Sequence, residues 1–215
     1  MKAFWYSLPP GTKFLATLYL LGFLAIFLLR SATGIDLSTA IAVDGSALSG
    51  FQVWRLFTYC LVAGSPLDAV FGTLFILFLG PGVERYWSPT RFLTHFLASG
   101  VASGIVFAWI LRNSPAGILT NAGALLGVLV PWFVLNRFQR WYLSLTSTDL
   151  PCSAATGIYA VCIVAPFALT CGWRLTPAVL ASVPVSWLIL RSQDMLSTRR
   201  THAATGPSRA SRIEL

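Results

Sequence analysis

Charge is what this sequence has least of. Only 10% of its 215 residues are Asp, Glu, Lys or Arg, against roughly a quarter in soluble domains, while 56% are apolar. A chain so poor in charge cannot cover a water-soluble surface, and it reads as a polytopic membrane protein. Histidine is scarce too, at two residues, which leaves few candidates for a general base. The four cysteines, Cys60, Cys152, Cys162 and Cys171, form no CxxC pair. Three of them lie in or beside apolar runs, where a free thiol behaves as a small hydrophobe. No metal site and no cofactor is expected.

What the chain has instead is charge-free apolar runs, each measured against the roughly 20 residues a helix needs to cross hydrocarbon. They fall at Phe14–Leu29, Leu67–Leu79, Phe92–Leu111, Ile118–Leu135, Ala154–Thr170 and Leu175–Leu190. The runs are uniformly apolar, whereas barrel strands would alternate, so the expected fold is an all-α bundle of six transmembrane helices. Lys2 and Lys13 flank the first run, but no small-x-small site closes it near Arg30, so it is expected to remain as a helix rather than be cleaved as a signal.

Cytoplasmic loops retain Lys and Arg. Six spans put Lys2, Lys13, Arg85, Arg91, Arg137, Arg140, Arg191, Arg199, Arg200, Arg209 and Arg212 on one side, and Arg30, Arg55, Arg112 and Arg174 on the other. This places both termini in the cytoplasm, and a prokaryotic plasma membrane is the expected location. The net charge of +8 is then a topology signal. No basic surface interleaved with aromatics suggests nucleic acid, and anionic lipid is the expected partner of the basic tail. The expected organisation is a cytoplasmic segment 1–13, a membrane domain 14–192 and a disordered basic tail 193–215, too polar to bury a core of its own. The spans lack paired ionisable residues along a path, which argues against a small transporter.

The connection from Ser31 to Pro66 is the one long irregular region, and such loops are commonly functional. Within it "FQVWRLFTYCLV", Phe51 to Val62, is too short to span and too apolar to float. It is expected in the interface, with Trp54 and Tyr59 at headgroup level and Arg55 snorkelling.

"VWRLFTYCLV", followed by an apolar helix and then "LGPGVERYWSPTRFLTHFLASG", resembles the rhomboid family of intramembrane serine proteases. The resemblance rests on Trp54-Arg55, Glu84-Arg85, Trp87 and a small-residue fourth helix in order, over roughly Phe51 to Asn136. It implies a rhomboid-like six-helix bundle with an interfacial first loop, and a groove that admits transmembrane segments of other proteins. Trp54, Arg55, Gly72 and Ala122 are the binding candidates.

In that family the fourth helix begins Gly-x-Ser-Gly, a His on the sixth helix activates the Ser, and a His and an Asn on the second help hold the oxyanion. Here "TNAGALLG" puts Ala122 at the nucleophile's position, followed by Gly123. Asp68 falls at the oxyanion His and Gly72 at the Asn, and the last span contains no His. A carboxylate would repel a developing oxyanion. The resemblance therefore implies a pseudoprotease that binds transmembrane clients without cutting them. The alternative is an active endopeptidase with a displaced nucleophile, Ser99 or Ser103. Ser103 lies in "VASGIVF", which imitates the motif but falls inside the third helix, on a Gly100-x-x-x-Gly104 packing ridge. Gly123 and Gly127 repeat that spacing, and the expected role of all four glycines is close helix packing. Ser65, Pro66 and Asp68 are expected to cap the second helix. Glu84 and Arg85 are expected to anchor structure.

Overall fold

The computed structural model of the chain describes residues 6–34, 36–114, 117–136, 140–143 and 148–192. The 193–215 tail and residues 1–5 lie outside them. The first helix, α1 (Pro10–Thr33), opens with Pro at its first position, where the missing N–H costs nothing. No side chain of its own caps it. Instead the Glu84 carboxylate accepts from the backbone N–H of Gly11 and of Thr12, each at 2.7 Å, and from the Thr12 hydroxyl at 2.8 Å. A distant acid thus satisfies donors that every helix start leaves open. At the other end Gly34, at φ 71°, closes α1 by donating to the Arg30 carbonyl at 3.0 Å.

Three short helices break the long connection: α2 (Ser38–Ile41), α3 (Ser46–Ser49) and α4 (Arg55–Thr58). Helix α5 (Pro66–Glu84) starts on the Ser65 hydroxyl, which accepts from the Asp68 N–H at 3.1 Å. Helix α6 (Pro89–Ile110) starts in the same way on Ser88. Helix α7 (Ala122–Asn136) is followed by a two-stranded antiparallel ladder, β1 (Arg140–Leu143) with β2 (Thr148–Pro151), that hydropathy did not predict. Helix α8 (Cys152–Cys171) comes next. A last apolar span, Trp173–Ser192, contains α9 (Thr176–Leu180) and resumes as helix after a turn at Ala181.

Among the described residues five helices are long and apolar enough to cross a membrane, and α7 is a shorter sixth. The fourth apolar run was expected to be helical from Ile118. It is extended there, because Val43 and Ile118 exchange backbone hydrogen bonds at 2.9 Å and Thr120 N–H reaches the Tyr59 carbonyl at 3.1 Å. The 15 residues of α7 cover only about 22 Å, less than the roughly 30 Å of hydrocarbon.

That shortness fits its place. Helix α7 is buried along nearly all its length, packed by α5, α6 and α8, while α1 turns Leu21, Phe27 and Leu28 outward to lipid. Close approach is paid for in glycine: a Cβ on Gly123 would collide with Ser103, and one on Gly127 with Ser99, so α6 and α7 meet backbone to side chain. A Cβ on Gly100 would lie 2.8 Å from Cys60 Sγ, and one on Gly104 2.8 Å from Tyr59 Cε1.

The loop corrects two expectations. Tyr59 is fully buried and its hydroxyl donates to the Gly100 carbonyl at 2.6 Å; it anchors the loop to α6 instead of sitting among headgroups. Arg55 does not snorkel. It is paired with Asp44 at 2.7 Å, both side chains mostly covered. Partial burial pushes the Asp44 carboxyl up, but the Ser46 hydroxyl and the Arg55 guanidinium outweigh it and hold it below the usual carboxylate range. Trp54 is exposed, as are Phe51, Val53 and Phe57 around it.

Candidate functional site

A cavity of about 510 Å³ lies between α5 and α8, at the end of the bundle where α7 begins late. Its walls are mainly apolar: Leu67, Phe71 and Phe75 from α5, Leu125 from α7, Ile163 and Phe167 from α8. The non-helical segment Gly117–Asn121 that precedes α7 forms part of the wall.

Ala122 stands on the cavity wall at the first position of α7, with its N–H donating to Thr120 Oγ1 at 3.2 Å. Its methyl group offers no lone pair. Asp68, also on the wall, accepts at Oδ2 from the Tyr19 hydroxyl at 2.7 Å and the Gly64 N–H at 3.3 Å, and at Oδ1 from the Thr120 hydroxyl at 3.3 Å. Gly72 sits one turn further along α5. A Cβ there would lie 2.6 Å from Tyr19 Cε1 and 2.7 Å from Asn121 Nδ2. The Asn121 amide therefore fills the space beside Gly72, although it comes from α7's entry and not from α5.

Tyr19, Thr120 and Asn121 escaped the sequence reading. The available signal was Asn121, a polar amide inside an apolar run and next to Ala122. Of the four expected binding residues, Gly72 and Ala122 line the cavity, whereas Trp54 and Arg55 lie in the loop and are not among its walls.

Ser103 is fully buried, donates to the Ala178 carbonyl at 2.8 Å and does not line the cavity. Ser99 is equally buried. These contacts settle the register of the last span, which its sequence left open. Ala178 faces Ser103, Ser182 faces Gly127 and Ser186 follows one turn below. From Trp173 to Ser192 the span contains no His, Asp, Glu or Lys, so it brings no general base to the start of α7. His95 lies eight residues before Ser103, about 12 Å along α6. Glu84 is buried in its cap on α1, and Arg85 next to it is exposed.

Among the described residues no three His, Cys, Asp or Glu side chains gather where they could hold a metal. Residues 50–188 match the sequence model of the Rhomboid domain. The chain belongs to the rhomboid family. The match runs past the expected limit at Asn136 and covers α4 to α8 and most of the last span, while α1, α2 and α3 precede it. The protein is an integral membrane protein with the fold of the intramembrane rhomboid proteases. No curated protein matches the chain.

Proposed function

We propose that this rhomboid-family protein is a pseudoprotease that holds transmembrane segments of client membrane proteins in the cavity between α5 and α8 without cleaving them. The observation that carries the reading is Ala122 on the cavity wall, at the family's nucleophile position, with no His anywhere in the last span. A hydroxyl without a base has only its weak intrinsic reactivity, and here both are replaced.

Asp68 adds to the argument. An acceptor-only carboxylate stands where an oxyanion would need donors, and its own donors, Tyr19, Thr120 and Gly64, are already spent on it. Ser99 and Ser103 offer no displaced nucleophile, since each is shut in helix packing away from the cavity. A cavity of this size with apolar walls suits side chains of a neighbouring helix. The proposed orientation has both termini in the cytoplasm, from the Lys and Arg asymmetry.

The test is photo-crosslinking in native membranes from Leu67 or Phe71, exposed residues on the cavity wall, beside Phe27 on the lipid face of α1. The reading expects adducts that map to transmembrane segments from the first two positions and lipid adducts alone from Phe27. Lipid adducts alone from all three would refute it.

A further inference from the structure

Among the described residues Asp68 is the only carboxylic acid on the cavity wall, and no Lys, Arg or His shares the wall with it. Among the described residues the ion pairs join Arg30 to Asp36 and Arg55 to Asp44, leaving Asp68 without a cation. Its Oδ2 takes two donors, but Oδ1 meets only the Thr120 hydroxyl at 3.3 Å. A carboxylate oxygen has room for two acceptor contacts, so one position on Oδ1 is open. Beside it Asn121 is 1% exposed and its Nδ2 has no hydrogen-bond partner. Buried amide donors without partners are costly. One wall therefore presents an open carboxyl acceptor and a spare donor in a mainly apolar chamber.

Intramembrane carboxylates are expensive and pair with an opposite charge. From this juxtaposition we propose that the cavity selects client helices carrying a Lys or Arg within their outermost turn, the cation resting on Asp68 Oδ1 and Asn121 donating to a backbone carbonyl of the same helix. The proposal rests on the client-binding reading and gives it a substrate class. The charge match explains the choice of occupant: an uncharged helix would leave Asp68 uncompensated, and an acidic one would be repelled. The basic residue itself gains, because its insertion into hydrocarbon is unfavourable until it meets a counter-charge.

The test uses the full chain in phosphatidylcholine vesicles with a single-span polyleucine peptide bearing a photoreactive group. The peptide is made in three forms, with Lys, Leu or Glu one turn from its end. Crosslinking of the Lys form should exceed that of the Leu form by about tenfold or more, as expected of a desolvated charge pair, with the Glu form weakest. Asp68→Asn should bring the Lys form down to the level of the Leu form measured on the same variant. The comparison of three peptides on the wild type needs no variant, so it decides the matter even if Asp68→Asn does not fold. Equal crosslinking of Lys and Leu forms overturns the charge selection and leaves client binding intact; no crosslinking of any form overturns both. Loss of the Lys preference on adding phosphatidylethanolamine would assign the site to an amine headgroup and overturn the proposal.

Discussion

The Ser186 hydroxyl donates to the Gly127 carbonyl at 2.6 Å, across the interface between the last span and α7. That carbonyl is available because Pro131, four residues on, has no N–H to give it. His95 approaches the same Ser186 oxygen with Nε2 at 2.7 Å and the same carbonyl at 3.4 Å. The pair imitates a Ser-His dyad, yet the serine proton is already committed to Gly127, which makes His95 Nε2 the donor to Ser186 and not its base. All three residues are buried. The chemistry is that of a repaired helix break.

Ser186→Ala should accordingly destabilise the bundle by about 1–3 kcal/mol, the cost of a buried carbonyl and an imidazole losing their shared partner. Equilibrium unfolding in mixed detergent micelles measures it. Reaction with a serine-directed fluorophosphonate should be absent before and after the substitution, and labelling lost in Ser186→Ala would make this serine a nucleophile.

The glycines separate by what surrounds them. Gly127→Ala drives a methyl into Ser99, and overpacking of this kind costs about 1–3 kcal/mol. Gly157, in α8, has nothing within 4 Å of where its Cβ would lie. Gly157→Ala should stabilise the helix by about 0.5–1 kcal/mol. Thermal melts of the two variants side by side would show equal behaviour only if α6 and α7 were not in close contact.

Glu84 and Arg85 are neighbours with opposite fates. Glu84→Ala strips the acceptor from two N–H groups and a hydroxyl of α1, and each abandoned buried donor costs about 1–3 kcal/mol. Arg85→Ala, on an exposed side chain, should stay within about 0.5 kcal/mol of wild type. Limited proteolysis near the N-terminus should accelerate in the first variant alone; acceleration in both would place the anchor on the pair.

Much of this fold is legible in hydropathy and capping. The start of α5 follows from Ser65, Pro66 and Asp68, because a cap and a first-turn proline act over four adjacent residues. The start of α7 does not, since Ile118 and Leu119 are as apolar as the helix they precede and only pairing with Val43 pulls Ile118 out of it. The Arg55–Asp44 pair was equally hidden, joining residues 11 apart in irregular chain. At the site, Ala122, Asp68 and Gly72 are found by position, while Tyr19 and Asn121 reach the cavity region through packing that no spacing encodes.

The proposed orientation rests on the distribution of the basic residues. Reporter fusions after Gly11 and after Arg200 should both be active as cytoplasmic reporters, and one after Gly34 as an external one. Opposite sides for the two termini would overturn both the orientation and the count of six crossings.

Cleavage of a model transmembrane substrate by the purified protein in liposomes tests the central claim most directly, with wild type, Ala122→Ser and Ser103→Ala assayed together. No product is expected from any of them. Ala122→Ser restores a hydroxyl but neither a base on the last span nor oxyanion donors on α5, and groups that act as a unit recover little when one returns. A single missing oxyanion donor already costs roughly 100- to 1000-fold, and Asp68 adds an anion beside the reacting centre. Product from the wild type that vanishes in Ser103→Ala would contradict the account and make Ser103 the nucleophile.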